Sequence, residues 1–426
     1  MKSNAQYTET ESGEIPEVLL KDYCELIQYG YTQSASLEEI GPKFLRITDI
    51  QNKPINWGEV PFCKISDSDL SKYLLDNGDI VIARTGASTG TNAIFDSSKM
   101  PKSVFASYLI RLKLSKIFDP WFVYYFLQSP YYSEHIVSIL GGSAQPNANA
   151  QQLTNVFVKK FNFSEQQQIA SILSSLDDKI ELNRRMNNTL EEIGKALFKR
   201  WFVDFEFPNE NVEPYKSAGG VMVASGLGEI PANWEIKKIE DVFEINTKSI
   251  NPGRSGDKSF WHFSIPSFDQ YSSPTLELGN TIKSNKTQIN SNSILISKLN
   301  PKKEKRIWTI YVDSWNADAI SSTEFINVVP NAGDWAWGNF MFRDDKFYKY
   351  FASLSTGSTG SRQRVRPTEI KTLKVAYPDE MTRQRFDDMA SHLLLKINEN
   401  MQEILNLTSI RDSLLPRLIS GKIRVN

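Results

Sequence analysis

The stretch NGDIVIAR, residues 77–84, returns in the second half of the chain as SNSILISK, residues 291–298. The other echoes are GEIP at 13–16 and 228–231, LKDYCELI at 20–27 with IEDVFEIN at 239–246, GSAQ at 142–145 with GSRQ at 360–363, and DDKIELNRRM at 177–186 with LLKINENM at 394–401. All five pairs keep the same order and lie 214 to 219 residues apart in a chain of 426. A near-constant shift indicates an internal repeat, so we expect two halves that share one fold.

Each half divides into a strand-rich part and a helical part. Short apolar runs such as DIVIAR and SYLIRLKL, punctuated by Gly, Asn and Ser, predict a mixed domain. Long helical patterns follow, from Ser164 to about Phe205 and from about Asp379 to Leu415, where Pro416 and Gly421 predict the stop. The predicted fold class is α+β, with two similar mixed α/β domains that are each followed by a long helix.

The same patterns set the predicted domain boundaries. Residues 206–228 contain two prolines and four glycines, which are typical of a linker. The predicted segments are a disordered N-terminus at 1–12, a first domain at 13–163, a helix at 164–205, the linker, a second domain at 229–378 and a helix at 379–426.

The first helical pattern carries residues at alternating spacings of three and four, which is the rhythm of a coiled coil, and the second carries a comparable but less regular stripe. This helix seam, as we define it, contains Leu176, Ile180, Asn183, Leu190, Leu197, Ile397, Met401, Ile404 and Leu414. We expect the two helices to pair, because a long helix with one apolar stripe needs a partner. The alternative is that each helix packs only on its own domain. Ser164 and Gln167 have the spacing of a capping box at the start of the first helix.

Composition excludes several classes of protein. The chain has 49 basic and 50 acidic residues, so it is not a uniformly basic nucleic-acid coat, although local basic faces remain open. Two cysteines and three histidines are too few for a disulfide scaffold or a zinc cluster. The N-terminal residues lack the apolar core of a signal peptide, and no apolar run reaches the ~18 residues of a membrane span. We therefore expect a cytoplasmic protein without membrane contact.

Catalytic motifs are missing from the sequence. The nearest stretch to a P-loop, GRSGDKS at 253–259, has its glycine and lysine at the wrong spacing. The stretch Asp119–Phe122 resembles the motif of a DNA amino-methyltransferase but lacks its second proline. Asp119 and Pro120 instead predict the start of a helix. The sequence predicts neither catalysis nor a bound cofactor or metal.

Binding chemistry is more evident than catalytic chemistry. Basic side chains lie beside Gly, Ser, Thr and Gln in loops, a combination that suits contacts with DNA phosphates and base edges. The predicted DNA-binding residues are Arg84, Thr85, Ser88, Thr89 and Gln145 in the first half, and Lys298, Asn300, Lys302, Lys303, Arg306, Arg362, Gln363 and Arg364 in the second. The alternative for each basic run is a solvated loop without a ligand.

Several stretches resemble the specificity subunits of type I restriction–modification enzymes. The resemblance covers nearly the whole chain after residue 12. It rests on KFLRITDIQNKPINW (43–57), LLDNGDIVIARTGASTG (74–90), GSAQPNANAQQL (142–153), HFSIPSFDQYSSP (262–274), ILISKLNPKKEKRIW (294–308) and the helical stretches 165–205 and 411–425. The tryptophan-rich DWAWGNFMF (334–342) replaces FDPWFVYYFL of the first half, so the two domains are expected to be of different types.

The resemblance implies a role. Each domain would read one half of a bipartite target in double-stranded DNA. The helices would form an antiparallel coiled coil that separates the domains and docks two methyltransferase subunits, and a restriction and translocase subunit would join them. The alternatives are a fused DNA methyltransferase or nuclease with an unrecognised catalytic motif, and a coiled-coil scaffold without a DNA role.

Overall fold

A computed structural model describes residues 15–51, 54–141, 147–331, 333–357 and 363–425. These residues form two compact units. Unit 1 contains the residues up to Glu181 together with those from Asn406 onward, and unit 2 contains Leu182–Leu405. Within the described ranges, no helix combines the length and the apolar character needed to cross a lipid bilayer.

We call the strands and short helices of unit 1 the first domain. Its strands are β1 (Glu17–Leu19), β2 (Cys24–Tyr29), β3 (Lys43–Leu45), β4 (Ile80–Ala83), β5 (Asn92–Ile94), β6 (Ser103–Phe105), β7 (Leu109–Leu114) and β8 (Phe157–Lys159). Its helices are α1 (Ile47–Gln51), α2 (Asp67–Tyr73), α3 (Pro120–Phe126), α4 (Pro130–Leu140) and α5 (Ala150–Thr154). The carboxylate of Asp119 accepts the N–H groups of Trp121 and Phe122 at 3.0 Å, so the predicted helix start there is confirmed.

The centre of the first domain is an antiparallel sheet in the order β2–β7–β4–β5. Alternate side chains of β4 point to opposite faces, as the pleat of a strand requires. Ile80 and Ile82 lie in a core formed with the short helices, whereas Val81 and Ala83 lie in a second core. That second core includes residues of the parallel pair β3–β6.

The strands and short helices of unit 2 are the second domain. Its strands are β9 (Met222–Ser225), β10 (Gly228–Pro231), β11 (Glu235–Lys238), β12 (Phe243–Asn246), β13 (Ser249–Ile250), β14 (Ser259–Phe263), β15 (Thr275–Leu278), β16 (Lys286–Ile289), β17 (Ser293–Ser297), β18 (Ile307–Ile310), β19 (Asp318–Ser321), β20 (Phe325–Pro330) and β21 (Lys374–Tyr377). Its helices are α7 (Ile239–Val242), α8 (Ile265–Tyr271), α9 (Trp335–Arg343), α10 (Asp345–Ser353) and α11 (Pro367–Lys371).

The second domain repeats the topology of the first. Its central antiparallel sheet has the order β12–β20–β17–β18, strand for strand the counterpart of β2–β7–β4–β5. The pair β11–β21 matches β1–β8, and the parallel pair β14–β19 matches β3–β6. In the second domain this parallel pair is extended to five strands in the order β13–β16–β19–β14–β15. The predicted α+β fold and the internal repeat are confirmed.

Two long helices, α6 (Phe163–Phe198) and α12 (Glu380–Ile419), contribute residues to both units. The predicted capping box of Ser164 and Gln167 is wrong. The side chain of Asn162 accepts the N–H of Glu165 at 2.9 Å, and the Glu165 carboxylate accepts the N–H of Asn162 at 3.3 Å. The helix begins at Phe163, so its cap lies two residues before the predicted one. A π-helical turn, Lys199–Val203, follows α6.

The predicted stop of the second helix is also shifted. Pro416 lies inside α12, which continues to Ile419. The missing N–H of a proline removes one hydrogen bond to the preceding turn, a loss that is tolerated here within a turn of the helix end. Gly421 then adopts a φ of 74°, the left-handed conformation that ends many helices.

Within each unit the two long helices run antiparallel. In unit 1 the Arg411 guanidinium pairs with Asp177 at 2.7 Å. In unit 2 the amide of Asn183 donates to Glu403 at 2.8 Å. One turn further along α6, the amide of Asn400 donates to Asn187 at 2.8 Å. Partner numbers on α12 fall as those on α6 rise, so the predicted antiparallel pairing is confirmed.

The helix seam is buried to different degrees. Ile180, Asn183, Met401 and Ile404 are buried, whereas Leu176, Leu190, Leu197, Ile397 and Leu414 are half-buried. Leu197 and Ile397 pack against the core that the short helices of the second domain share with its central sheet. Leu414 packs against the matching core of the first domain. Each helix therefore contacts both its partner helix and a domain, which combines the two packing arrangements that the sequence left open.

Residues 206–228, which composition assigns to a linker, pack within unit 2. Phe207 is buried and stacks on Tyr215 and Trp234, with ring centroids 4.6 and 5.5 Å apart. The stretch continues into the hairpin of β9 and β10. Pro208 and Pro214 face each other in an isolated β-bridge and Gly228 lies in β10, so this stretch has regular local structure.

Candidate nucleic-acid interface

Three segments of the first domain meet at one end of the inner strands β4 and β7 of its central sheet. The N–H of Arg84, just after β4, donates to the carbonyl of Tyr108 at 3.1 Å, and the N–H of Ala148 donates to the carbonyl of Arg84 at 2.9 Å. Thr85 forms a bridge with Asn147. We call the surface formed by Tyr29, Arg84, Thr85, Tyr108 and Asn147 the first rim.

The side chain of Arg84 lies beside an aromatic ring in the first rim. Its guanidinium lies 5.1 Å from the centre of the Tyr29 ring, within the range of a cation–π contact. Its Nε donates to the carbonyl of Ser107 at 3.4 Å. Tyr29 and Tyr108 are exposed, and so is Asn147. The first rim therefore presents one cation, two aromatic rings and one amide.

The second domain has the same backbone arrangement. The N–H of Lys298 donates to the carbonyl of Glu324 at 3.0 Å, and the N–H of Val365 donates to the carbonyl of Lys298 at 3.1 Å. Leu299 forms a bridge with Arg364. These bonds match those of the first rim one for one, which pairs Arg84 with Lys298. We call the surface formed by Lys298, Asn300, Glu324, Gln363 and Arg364 the second rim.

By the same matching, Tyr108 corresponds to Glu324 and Asn147 to Arg364. The second rim thus replaces an aromatic ring and an amide with an ion pair. Nε of Arg364 lies 2.9 Å from Oε2 of Glu324, and Nη2 lies 2.9 Å from Oε1. This hydrogen bonding raises the pKa of the Arg364 guanidinium, which stays charged.

Gln363 has a mainly structural environment. Its N–H donates to the side-chain oxygen of Asn300 at 3.0 Å, and its carbonyl accepts the N–H of Asn300 at 2.8 Å. Its side-chain oxygen accepts the hydroxyl of Ser355 at 3.4 Å. Asn300 has a φ of 47°, which asparagine tolerates better than most residues. Gln363 and Asn300 therefore fix the loop that carries Lys302 and Lys303.

Two further first-half residues predicted to bind DNA, Ser88 and Thr89, lie in the turn after β4. The hydroxyl of Thr89 is buried and donates to the carbonyl of Gly86 at 2.8 Å, so it stabilises the turn. The hydroxyl of Ser88 accepts the amide of Gln51. Thr85 lies in the first rim, and Gln145 lies outside the described residues.

The second-half residues divide similarly. Lys302 and Lys303 are exposed, and neither has an ion pair with any residue that the structure describes. The prediction that Arg306 binds DNA is wrong. Its side chain is buried and its guanidinium is held by Asp269, with Nη2 and Oδ2 2.8 Å apart. It serves the interior of the second domain instead of the rim. Arg362 lies outside the described residues.

The sequence prediction missed Tyr29, Tyr108, Asn147 and Glu324. None of the four is basic, so a search for positive charge does not find them. A usable signal was present, since Tyr108 and Glu324 each stand immediately before matching strands, β7 and β20. The repeat shows that the residue before this strand differs between the two domains although the strand itself is shared.

Comparisons with known proteins agree with this architecture. Residues 20–192 match the family described as type I restriction modification DNA specificity domain. The MjaIX specificity subunit of a type I restriction enzyme from Methanocaldococcus jannaschii is 27% identical, over 71% of this chain and 69% of its own. The HindI specificity subunit from Haemophilus influenzae is 24% identical, over 91% of this chain and 98% of its own.

A solved structure shows the same fold. The S subunit of a type I restriction–modification system from M. genitalium superimposes with a TM-score of 0.54 at 14% identity, covering 97% of this chain and 98% of that one. The family match, the two relatives and the shared fold all point in the direction that the repeated domains and paired helices indicate. The chain is similar to the specificity subunits of type I restriction–modification systems over most of its length, and residues 20–192 match their DNA specificity domain.

Proposed function

We propose that the first and second rims each read one half of a bipartite target in double-stranded DNA. The observation that carries this proposal is the match between the rims: the same three segments meet through equivalent backbone hydrogen bonds in both domains. The side chains that this frame presents differ, as reading two unlike half-sites requires. Arg84 and Lys298 supply positive charge that attracts phosphates.

In this role the chain performs no chemical step itself. Target reading is its task, and methyl transfer and cleavage belong to methyltransferase and restriction subunits that join it in the cytoplasm. Apolar side chains exposed on the long helices support a docking role. In unit 1 they include Ile172 and Ile410, and in unit 2 they include Ile193 and Leu395. Such side chains are candidates for burial under two methyltransferase subunits.

Separate substitutions in the two rims test the division of work. Arg84→Ala and Lys298→Ala are each combined with the methyltransferase partner, and methylated sites are mapped across a genome. We expect each substitution to change the choice of bases in one half-site and to leave the other intact. A base contact relaxes one position, whereas a phosphate contact lowers affinity for all sequences and reduces the salt slope by about one.

Lys113→Ala and Lys258→Ala are matched controls, because each removes an exposed lysine elsewhere on the same domain. Both controls are expected to leave the target unchanged. Equal relaxation of both half-sites by either rim variant would contradict the division of work. Methyl transfer from S-adenosylmethionine by the purified chain alone would instead favour the fused-enzyme alternative.

A further inference from the structure

The ion pair of the second rim, Glu324 with Arg364, has a geometry that suits base reading. The carboxylate occupies one edge of the guanidinium, formed by Nε and Nη2. Nη1 has no hydrogen bond to any residue that the structure describes. An arginine offers five N–H donors in a rigid fork, so the end formed by Nη1 and Nη2 still carries donors for a ligand.

Exposure indicates which member of the pair meets the ligand. The Arg364 side chain is 44% exposed and that of Glu324 is 28% exposed. The bridge between Leu299 and Arg364 also ties the backbone of Arg364 to the segment after β17. The guanidinium is therefore presented outward from a fixed backbone, with the carboxylate behind it.

A phosphate contact does not require this arrangement. Phosphates are bound well by flexible lysines, and Lys302 and Lys303 are available nearby in the same domain. A carboxylate beside a phosphate would repel it and weaken such a contact. A guanine base, by contrast, presents O6 and N7 as two acceptors that match the end of a guanidinium fork, and a fixed orientation improves the match.

We propose that Arg364 reads a guanine in the half-site of the second domain and that Glu324 is the positioning residue that orients its guanidinium. The inference rests on the proposed function, since it assumes that the second rim faces DNA. It adds a base to that function and gives a role to an acidic residue. In the first rim the matching position is Asn147, an amide that lacks the guanidinium fork.

The test uses the full chain with its methyltransferase partner, and compares Glu324→Ala, Arg364→Lys and Asp318→Asn by mapping methylated sites. Arg364→Lys keeps the charge but removes the fork. We expect Glu324→Ala and Arg364→Lys to relax one guanine position, by about tenfold to a hundredfold in preference over other bases. Asp318→Asn removes another exposed ion pair of the second domain, Lys258–Asp318 at 2.7 Å, and should leave the target unchanged.

The salt dependence of binding separates positioning from charge. Binding of each complex to a duplex with the mapped target is measured from low to high salt. Arg364→Lys should keep the wild-type salt slope while losing guanine selectivity. A wild-type half-site without guanine, or full selectivity in Arg364→Lys or Glu324→Ala, would overturn the inference while leaving the proposed function intact. If rim variants change neither half-site, the proposed function itself fails.

Discussion

The two domains share a strand order but fill one central position in opposite ways. In the first domain Arg111 on β7 lies opposite Val81 on β4, and in the second Asn327 on β20 lies opposite Leu295 on β17. Both residues are buried. The charged residue of the first domain is extensively paired, whereas neither amide atom of Asn327 finds a hydrogen-bond partner within the described residues.

Arg111 explains why a charge is retained in the first domain. Its guanidinium donates to the Leu74 carbonyl at 2.7 Å, to the Gln28 side chain at 2.6 Å and to Asp79 at 3.3 Å. These bonds connect β7 with β2, with the residue that follows α2 and with the residue that precedes β4. In the second domain a five-stranded sheet occupies the corresponding side of the central sheet, where apolar packing takes over. The two domains thus share the backbone hydrogen bonds of the rims but differ in what packs against the central sheet.

The largest loss of stability is expected when the buried Arg111 of the first domain loses its counter-charge. Asp79→Ala leaves Arg111 buried without its counter-charge, which typically costs about 3–5 kcal/mol of unfolding free energy. Burial raises the pKa of Asp79 even though Arg111 opposes that rise, so desolvation outweighs their attraction. The loss is measured by hydrogen exchange of the β4 and β7 amides, which reports on the first domain alone.

Two further variants separate an unpaired charge from the loss of a contact. Asp76→Ala removes the exposed pair of Asp76 with Lys113 and should cost less than about 1 kcal/mol. The double variant Asp79→Ala with Arg111→Met should recover much of the lost stability, because no buried charge remains. A double variant as unstable as Asp79→Ala would show that the hydrogen bonds of Arg111, and not its charge, dominate.

The opposite sign is expected at the matching position of the second domain. Asn327→Leu places an apolar side chain of similar size against Leu295 and removes two unsatisfied polar atoms. We expect a gain of about 1–3 kcal/mol, the usual penalty of a buried polar group without a partner. Urea unfolding followed by tryptophan fluorescence reports mainly on unit 2, which contains seven of the nine tryptophans.

A matched variant sharpens the comparison. Leu295→Asn adds a second amide beside Asn327 and is expected to destabilise unit 2, since Leu295 is fully buried in an apolar core. A loss of stability in Asn327→Leu would contradict the comparison. It would mean that Asn327 has a polar partner, such as a buried water, that an apolar side chain displaces.

Most of the fold could be predicted from the repeat in the sequence. Matching apolar runs such as those ending at Arg84 and Lys298 predict matching strands, and both strands lie at the centre of their sheets. The extension of the parallel pair to five strands was not predictable, because short strands such as Ser249–Ile250 have too few residues for a periodic pattern. The start of α6 also moved, because two adjacent polar pairs offered competing caps.

The candidate site was less predictable than the fold. Charge and residue type identified Arg84, Lys298 and Arg364, which do lie in the rims. The same criteria selected Arg306, whose burial depends on Asp269 more than 30 residues away in sequence. Residues such as Glu324 enter the site only through backbone contacts between distant segments, which a single sequence does not display.

The smallest expected difference between the two domains is a pH dependence of stability that arises from His262. His262 on β14 is 9% exposed, and its Nδ1 lies 3.0 Å from the Glu277 carboxylate. Its Nε2 has no partner within the described residues. The matching strand of the first domain, β3, has the sequence KFL and carries no histidine. A pH dependence from this source should therefore be confined to unit 2.

The sign of this effect follows from the environment of His262. Burial lowers its pKa, and the opposing influence of Glu277 does not cancel that shift. The folded second domain thus favours the neutral imidazole, while the unfolded chain takes up a proton below its ordinary pKa of about 6.5. Stability should fall as the pH drops below that value, by up to about 1.4 kcal/mol per pH unit until the folded form also binds a proton. Urea unfolding by tryptophan fluorescence at pH 7.5 and 5.5 measures the loss, and His262→Gln should lose less stability on acidification. An equal loss in both proteins would assign the pH dependence to another group.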